Sequence, residues 1–259
     1  AASDVYKRQG LHHALPGRAN GFCIYNDVAI TAKYLVEKYH QRVMVIDTDA
    51  HHGDGTQWSF YTDNRIMTYS IHETGKFLFP GSGHYTERGE DIGYGYTVNV
   101  PLEPYTEDAS YLEVFKETVE PLVAAFKPDI ILSVHGVDIH YRDPLTHMNC
   151  TLNSLYSIPY IIQDLAKRYC NHKVLMFGGG GYNIWRVVPQ AWSHVFLSLI
   201  GEPIQQGYLP LNWINKWKLY STVKLPKRWE DRLNDYAYIP RTKEISDKNL
   251  RIAKQVASW

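Results

Sequence analysis

The chain has 259 residues, 44% hydrophobic and 21% charged, which suits one soluble domain built around a single large core. Lysine plus arginine and aspartate plus glutamate balance at 27 each with no run of like charge, so direct nucleic-acid binding and membrane-surface binding are not expected. No apolar stretch approaches the roughly 20 residues of a membrane span, and the first residues hold no signal-peptide core. Cys23, Cys150 and Cys170 form no CxxC pair, so free thiols in a reducing cytoplasm are expected rather than a disulfide framework.

In chain order, residues 1–9 are polar and aperiodic. An Ala/Ile/Leu/Val pattern at helical spacing predicts a helix from Asn26 to Tyr39, capped by Asn26 or Asp27. The apolar run Arg42–Asp47 reads as a buried parallel strand. Further strands are expected at Arg65–Ile71, Tyr96–Val100, Asp129–Val134 and Lys173–Phe177. Helices are expected over Glu107–Phe126, Leu152–Tyr169 and Ile184–Ile200. After about Pro203 the periodicity weakens, and the Trp-, Lys- and Tyr-rich remainder reads as a peripheral extension. Alternating strands and helices predict an α/β fold with a mainly parallel sheet covered on both faces. Ligands of such sheets lie beyond the carboxyl ends of the strands, here just after Asp47, Ile71, Val134 and Phe177.

Four segments at such places carry candidate chemistry. In IDTDAHHGDG (Ile46–Gly55), Asp47, Asp49 and His51 share parity, so an extended chain points them to one side as a half-site for a divalent metal. A polar strand-to-helix turn with capping aspartates is the plain alternative, but the HHGD continuation favours the metal. Asp54 and its flanking glycines can return a second carboxylate to the site. In HGVDIHYRDP (His135–Pro144), Asp138 can supply a third ligand, leaving a coordination position open for water. Spacing alone does not choose between Asp138, His140 and Asp143, and Asp143–Pro144 is also an ordinary turn signal. In GLHHA (Gly10–Ala14), His12 and His13 can act as general base and electrostatic partner. Each needs a carboxylate on its other ring nitrogen, and Asp47 and Asp54 are available. In FGGGGYNIWR (Phe177–Arg186), four glycines permit close backbone approach to a ligand. No GxxxxGK[ST] or GxGxxG supports nucleotide binding, and Tyr182 can instead donate to an oxygen that gains charge. Phe22 and Phe79 can flank an apolar slot, although core packing is the usual fate of a single Phe.

The set GLHHA, GFCIYND, DTDAHHGDG, SIHE, FPGSG, VDIHYRDP and GGGGY, in this order, resembles the histone-deacetylase superfamily, which shares its fold with arginases. HGVDIHYRDPLTHM and ETGKFLFPGSG are most similar to the bacterial acetoin-utilisation deacetylases. The resemblance implies a three-layer α/β/α fold lacking its N-terminal part. Family members carry a long stretch ahead of the HHA segment, where this chain has only nine residues before Gly10. Residues 1–9 are therefore expected to be foreign or artefactual, 10–203 a truncated catalytic domain, and 204–259 an extension of it. A missing strand and covering helices are expected to expose apolar surface and favour aggregation.

The resemblance also implies a role for each residue. Asp49, His51 and Asp138 ligate the metal, with zinc as the usual ion, although such ligation suits ferrous iron too. His13, supported by Asp54, is the general base and acid; His12, paired with Asp47, is its electrostatic neighbour. Tyr182 polarises the substrate carbonyl, Phe22 and Phe79 line an acyl-lysine channel, and Gly180 lies along its floor. A structural potassium is expected near Asp47, Asp49, His51, Ser70 and Ile71. The implied activity is metal-dependent hydrolysis of acetyl-lysine in a cytoplasmic bacterial protein, with a metabolic enzyme such as acetyl-CoA synthetase as target, in control of acetoin and acetate metabolism. Two other readings are a deacetylase of acetylpolyamines or other small amides, and a non-catalytic fragment.

Overall fold

In the computed structural model, residues 10–231 and 239–257 are described. The segment 1–9, expected to be foreign to the domain, lies outside them. Helix α1 (Asp27–Tyr39) starts where the Asn26 side chain accepts the Ala29 N–H, which satisfies one of the orphan donors of the first turn. It ends on His40 in the left-handed region. Then follow β1 (Val43–Asp47), α2 (Asp54–Ser59), β2 (Ile66–Glu73) and β3 (Thr97–Leu102). The next elements are α3 (Asp108–Phe126), β4 (Ile130–Val134), α4 (Leu152–Tyr169) and β5 (Val174–Phe177). Helices α5 (Val188–Leu199), α6 (Leu211–Trp217) and α7 (Thr242–Ala257) complete the described chain.

The five strands form one parallel sheet in the order β3-β2-β1-β4-β5. Every residue of β1 to β4 is buried. Alternate side chains enter opposite layers. Val43 and Val45 of β1 and Ile130, Leu132 and Val134 of β4 pack with Val28, Ala32 and Val36 of α1. Met44, Ile46 and Ile131 instead join the larger core with Val114, Phe115 and Val119 of α3 and Leu155, Ile158 and Ile162 of α4. Each such fully buried side chain contributes about 1.5–3 kcal/mol, so both faces must be covered for the sheet to persist. The result is the three-layer α/β/α arrangement with a parallel central sheet that the alternation of elements predicts.

Three element boundaries depart from the sequence pattern by two or more residues, and one of them is the end of β3, which runs to Leu102 rather than Val100 because Pro101 and Leu102 pair with His72 and Glu73 of β2. Strand β2 continues past Ile71 because His72 and Glu73, though polar, are buried with partners: His72 Nδ1 meets Ser70 Oγ at 2.8 Å, and Glu73 accepts from His147. Helix α5 starts at Val188 rather than Ile184, since Asn183 accepts the Val187 and Val188 N–H groups in a turn ahead of it. Pro189 then falls in the first helical turn, where its missing N–H costs nothing. In the segment after residue 203, α7 lies against α3 and β3 and buries Asn249, Ala253 and Val256. Asn249 Oδ1 accepts the Glu103 N–H, and its amide donates to Thr106 and Ser110. Among the described residues, no helix is long and apolar enough to cross a membrane. Cys23, Cys150 and Cys170 are all buried free thiols.

Candidate active site

The carboxyl ends of the parallel strands β1, β4 and β5 lie at one end of the sheet, and the loops leaving them supply the site. Asp49, His51 and Asp138 offer one ligand atom each, all within 4.8 Å of one another and all buried. His51 Nδ1 lies 3.1 Å from Asp49 Oδ1 and 2.9 Å from Asp138 Oδ2. Main-chain donors fix both carboxylates: Asp49 Oδ1 accepts the His51 N–H and Asp138 Oδ1 accepts the Ala50 N–H, each at 2.9 Å. The shared parity of Asp47, Asp49 and His51 is not what gathers them. Strand β1 ends at Asp47, the chain bends, and only Asp49 and His51 turn toward Asp138. Asp47 faces His12 instead.

Of the three residues that spacing left open in the third segment, Asp138 joins the cluster. His140 points away, with Nε2 3.0 Å from Asp231 and Nδ1 accepting the Arg142 N–H. Asp143 binds main chain, accepting the Leu145 N–H at 3.0 Å and the Tyr182 N–H at 2.8 Å.

The three-residue cluster fits a divalent cation on its electrostatics alone. Burial and the neighbouring Asp49 push the Asp138 carboxyl up to about 7. Burial also opposes charge on Asp49, yet His12 and His51 outweigh it and hold that carboxyl well below its ordinary range. His51 is driven the other way: burial disfavours its proton, but the two carboxylates raise it to about 11. Two buried carboxylates this close together demand positive charge between them. The oxygen and nitrogen donor set suits zinc or another first-row dication. Gly180 completes the cradle. Its N–H donates to Asp49 Oδ2, and a Cβ there would lie 2.3 Å from Asp138 Oδ2, so no larger residue fits.

Beside this cluster stand two histidine–aspartate pairs. His12 Nδ1 lies 2.7 Å from Asp47 Oδ2, and its Nε2 is 3.8 Å from Asp49 Oδ1. Burial alone would lower His12, but Asp47 and Asp49 outweigh it and raise the ring to about 9. His13 Nδ1 lies 2.6 Å from Asp54 Oδ1 at the start of α2. Burial and repulsion from His12 bring His13 down to about 4 against the pull of Asp54. The His12 and His13 rings are 4.1 Å apart, centroid to centroid.

Phe79 packs edge-on to His13 at 5.0 Å, and Phe22 faces Tyr182 at 6.5 Å. Both phenylalanines are exposed rather than in the core, Phe22 at 87% and Phe79 at 47%. Phe22 owes its position to a tight turn in which Asn20 and Cys23 exchange main-chain hydrogen bonds while Gly21 and Phe22 adopt φ of 49° and 66°. Burial, then Asp49 and Asp138, raise the Tyr182 phenol far above its usual range, so it stays a proton donor. Ser70 lies opposite Asp47 in the β1–β2 register, next to Ile71. Asp47, Ser70 and Thr68 line a small cavity of about 10 Å³, and among the described residues the Thr68 hydroxyl has no hydrogen-bond partner.

Sequence reasoning missed Asn20, whose amide donates to Asp54 Oδ2 at 2.9 Å and so braces the His13 pair. Asn26, read from the sequence only as a helix cap, also holds the main chain on both sides of His13, its amide donating to the His12 and Ala14 carbonyls. Asn20 immediately precedes the motif GFCIYND, and Asn26 lies within it.

The histone deacetylase domain profile matches residues 2–199. The chain belongs to the histone deacetylase family. It is 79% identical over 250 residues to acetoin utilization protein AcuC of Staphylococcus aureus (strain COL), covering 96% of this chain and 64% of that protein. It is 49% identical over 241 residues to AcuC of Bacillus subtilis (strain 168), covering 93% of this chain and 62% of the relative. The chain thus spans about two thirds of the length of these relatives or slightly less. Among solved structures, an HDAC homologue from Aquifex aeolicus matches with TM-score 0.79 and 27% identity over 93% of this chain and 65% of that one. An HDAC homologue complexed with SAHA matches with TM-score 0.81 and 27% identity over 94% and 66%.

Proposed function

We propose that the site hydrolyses the acetyl-lysine amide of protein substrates, giving acetate and free lysine, with zinc as the metal. The observation that carries this reading is the pairing of a buried Asp–His–Asp cluster with two adjacent histidine–aspartate pairs and a tyrosine whose phenol stays protonated. Asp49, His51 and Asp138 would hold the ion, ferrous iron being the alternative. When bound, it supplies Lewis-acid polarisation of the amide oxygen and lowers the pKa of a water.

The residues of the chain do the rest. With Nδ1 engaged by Asp54, His13 presents Nε2 as the free base, and its low proton affinity keeps that nitrogen deprotonated near neutral pH. It takes the proton of the attacking water. The Tyr182 hydroxyl donates to the carbonyl oxygen as that oxygen gains charge. Protonated His13 then hands its proton to the departing lysine nitrogen, while charged His12 holds the local field positive. Phe22 and Phe79 sheath the alkyl stem of the lysine and exclude water from it.

A potassium ion near Asp47, Asp49, His51, Ser70 and Ile71 would neutralise the carboxylate at the end of β1. Residues 10–203 are proposed as the catalytic domain and 204–259 as its extension. Through the acetoin utilization relatives, the substrate is proposed to be an acetylated metabolic enzyme such as acetyl-CoA synthetase, in a bacterial cytoplasm. Hydrolysis of a fluorogenic acetyl-lysine peptide tests the activity. Turnover abolished by a chelator, restored by Zn²⁺, and lowered about 10²–10³-fold in kcat with little change in KM by Tyr182→Phe is expected. Turnover indifferent to both treatments would overturn the reading.

A further inference from the structure

The glycine run 178–181 has no side chain with which to pin itself, yet it delivers Tyr182 to the site. Its order must come from neighbours that grip its main chain. Val137 N–H donates to the Gly180 carbonyl at 2.7 Å, and Gly180 N–H donates to Asp49. The next amide with a gripping partner is that of Tyr182 itself, and the partner is Asp143, whose Oδ2 accepts that N–H at 2.8 Å. Asp143 is 8% exposed, and its other oxygen accepts the Leu145 N–H at 3.0 Å. One residue on either side repeats the clasp, since the Asn183 amide donates to the Arg142 carbonyl at 3.0 Å.

A buried carboxylate accepting two main-chain N–H bonds is a strong, geometrically specific anchor. A turn needs only the first of these bonds, the Leu145 contact two residues ahead. The second reaches 39 residues along the chain to the one amide that sets where the tyrosine side chain leaves the backbone.

We propose that Asp143 is a positioning residue for Tyr182: its carboxylate clamps the Tyr182 amide and so fixes the direction in which the phenol leaves the main chain. This rests on the reading of Tyr182 as the donor to the substrate oxygen. Asp143 itself touches neither metal ligand nor substrate in this account. It acts through the tyrosine main chain, where a displacement of the phenol by about 1 Å is enough to cost on the order of 10²-fold in rate.

The experiment is a double-mutant cycle on metal-loaded protein: wild type, Asp143→Ala, Asp143→Asn, Tyr182→Phe and each Asp143 change combined with Tyr182→Phe. Each is measured for kcat, KM and bound metal. Asp143→Ala is expected to lower kcat on the order of 10²-fold, with KM within about twofold and metal content unchanged. Asp143→Asn keeps one acceptor oxygen and is expected to fall between, which also covers the case in which the alanine variant fails to fold. In the Tyr182→Phe background either change is expected to cost little more, because the group it positions is already gone. Losses that multiply across the two sites, or that appear as lost metal or raised KM alone, would overturn the clamp and leave Tyr182 its role. Undiminished kcat in Tyr182→Phe alone would instead overturn the reading of Tyr182, and the clamp with it.

Discussion

The end of β1 and the start of α2 each hold a histidine by Nδ1 on a buried aspartate, at 2.7 Å and 2.6 Å. The two histidines are adjacent in sequence and nearly equal in burial. Their proton affinities nonetheless diverge, about 9 for His12 and about 4 for His13. Burial disfavours the proton on both rings and each ring has one aspartate, but Asp47 together with Asp49 overcomes burial at His12, whereas at His13 repulsion from His12 adds to burial and outweighs Asp54. What differs is the next charge outward. His12 has Asp49 as a second anion 3.8 Å away, whereas His13 has the cation of His12 beside it. A charged and a neutral imidazole side by side therefore need no difference in their own partners. Asp49 adds to the pull of Asp47 on the first, and the charge of the first helps keep the second neutral.

The largest test of this contrast is to remove each ring. His13→Ala is expected to lower kcat by about 10²–10⁴-fold, the range for a lost general base. His12→Ala is expected to cost clearly less, because it removes charge but no proton transfer. Equal losses in steady-state turnover would break the division of labour.

A subtler test moves the limbs of the pH profile. In the proposed mechanism activity needs His13 neutral, so it rises as pH climbs through the His13 value near 4. It needs His12 charged, so it falls as pH passes the His12 value near 9. A bound dication repels a proton from both rings and shifts both limbs down while keeping their order. Asp47→Asn removes an anion that raises His12, so the alkaline limb of kcat/KM should move to lower pH. Asp54→Asn removes the anion that raises His13, so the acid limb should move to lower pH. Each change is expected to cost about 10-fold or more at the plateau, as lost orienting partners of such sites do. A shift of the same limb in both variants would contradict the assignment.

The smallest effect is expected from the turn that backs one pair alone. A Cβ at Gly21 would lie 2.5 Å from His13 Cδ2, and the residue has φ of 49°. Gly21→Ala should destabilise by about 1 kcal/mol or more and lower kcat without moving the alkaline limb set by His12. Thermal melting and the pH profile together check this.

The strands and longer helices were legible because their periodicity follows directly from burial. The apolar runs ending at Asp47, Val134 and Phe177 are β1, β4 and β5, and their ends are where the chemistry lies. Polar residues buried with partners do not read as strand, so the sequence pattern ends β2 two residues early, and β3, which pairs with that end, ends early with it. Within the site, Asp49, His51 and Asp138 carried a donor signature, but the geometry that gathers them did not follow from strand alternation, because the chain bends after Asp47. Long-range partners such as Asn20 with Asp54 and Asp143 with Tyr182 left no local trace at all. A hydrogen bond across 34 or 39 residues is fixed by packing, which no window of sequence contains.

The left-handed backbone of Phe22 sets thermostability against the channel role proposed for its ring. A bulky residue with φ of 66° carries a conformational cost of roughly 1–3 kcal/mol that glycine or asparagine would relieve. The ring that incurs this cost is 87% exposed and gains almost nothing from core burial in return. Selection for a higher melting temperature alone would drift away from phenylalanine here. Folding alone does not favour phenylalanine at position 22, and the channel role proposed for its ring supplies a reason for it to be there.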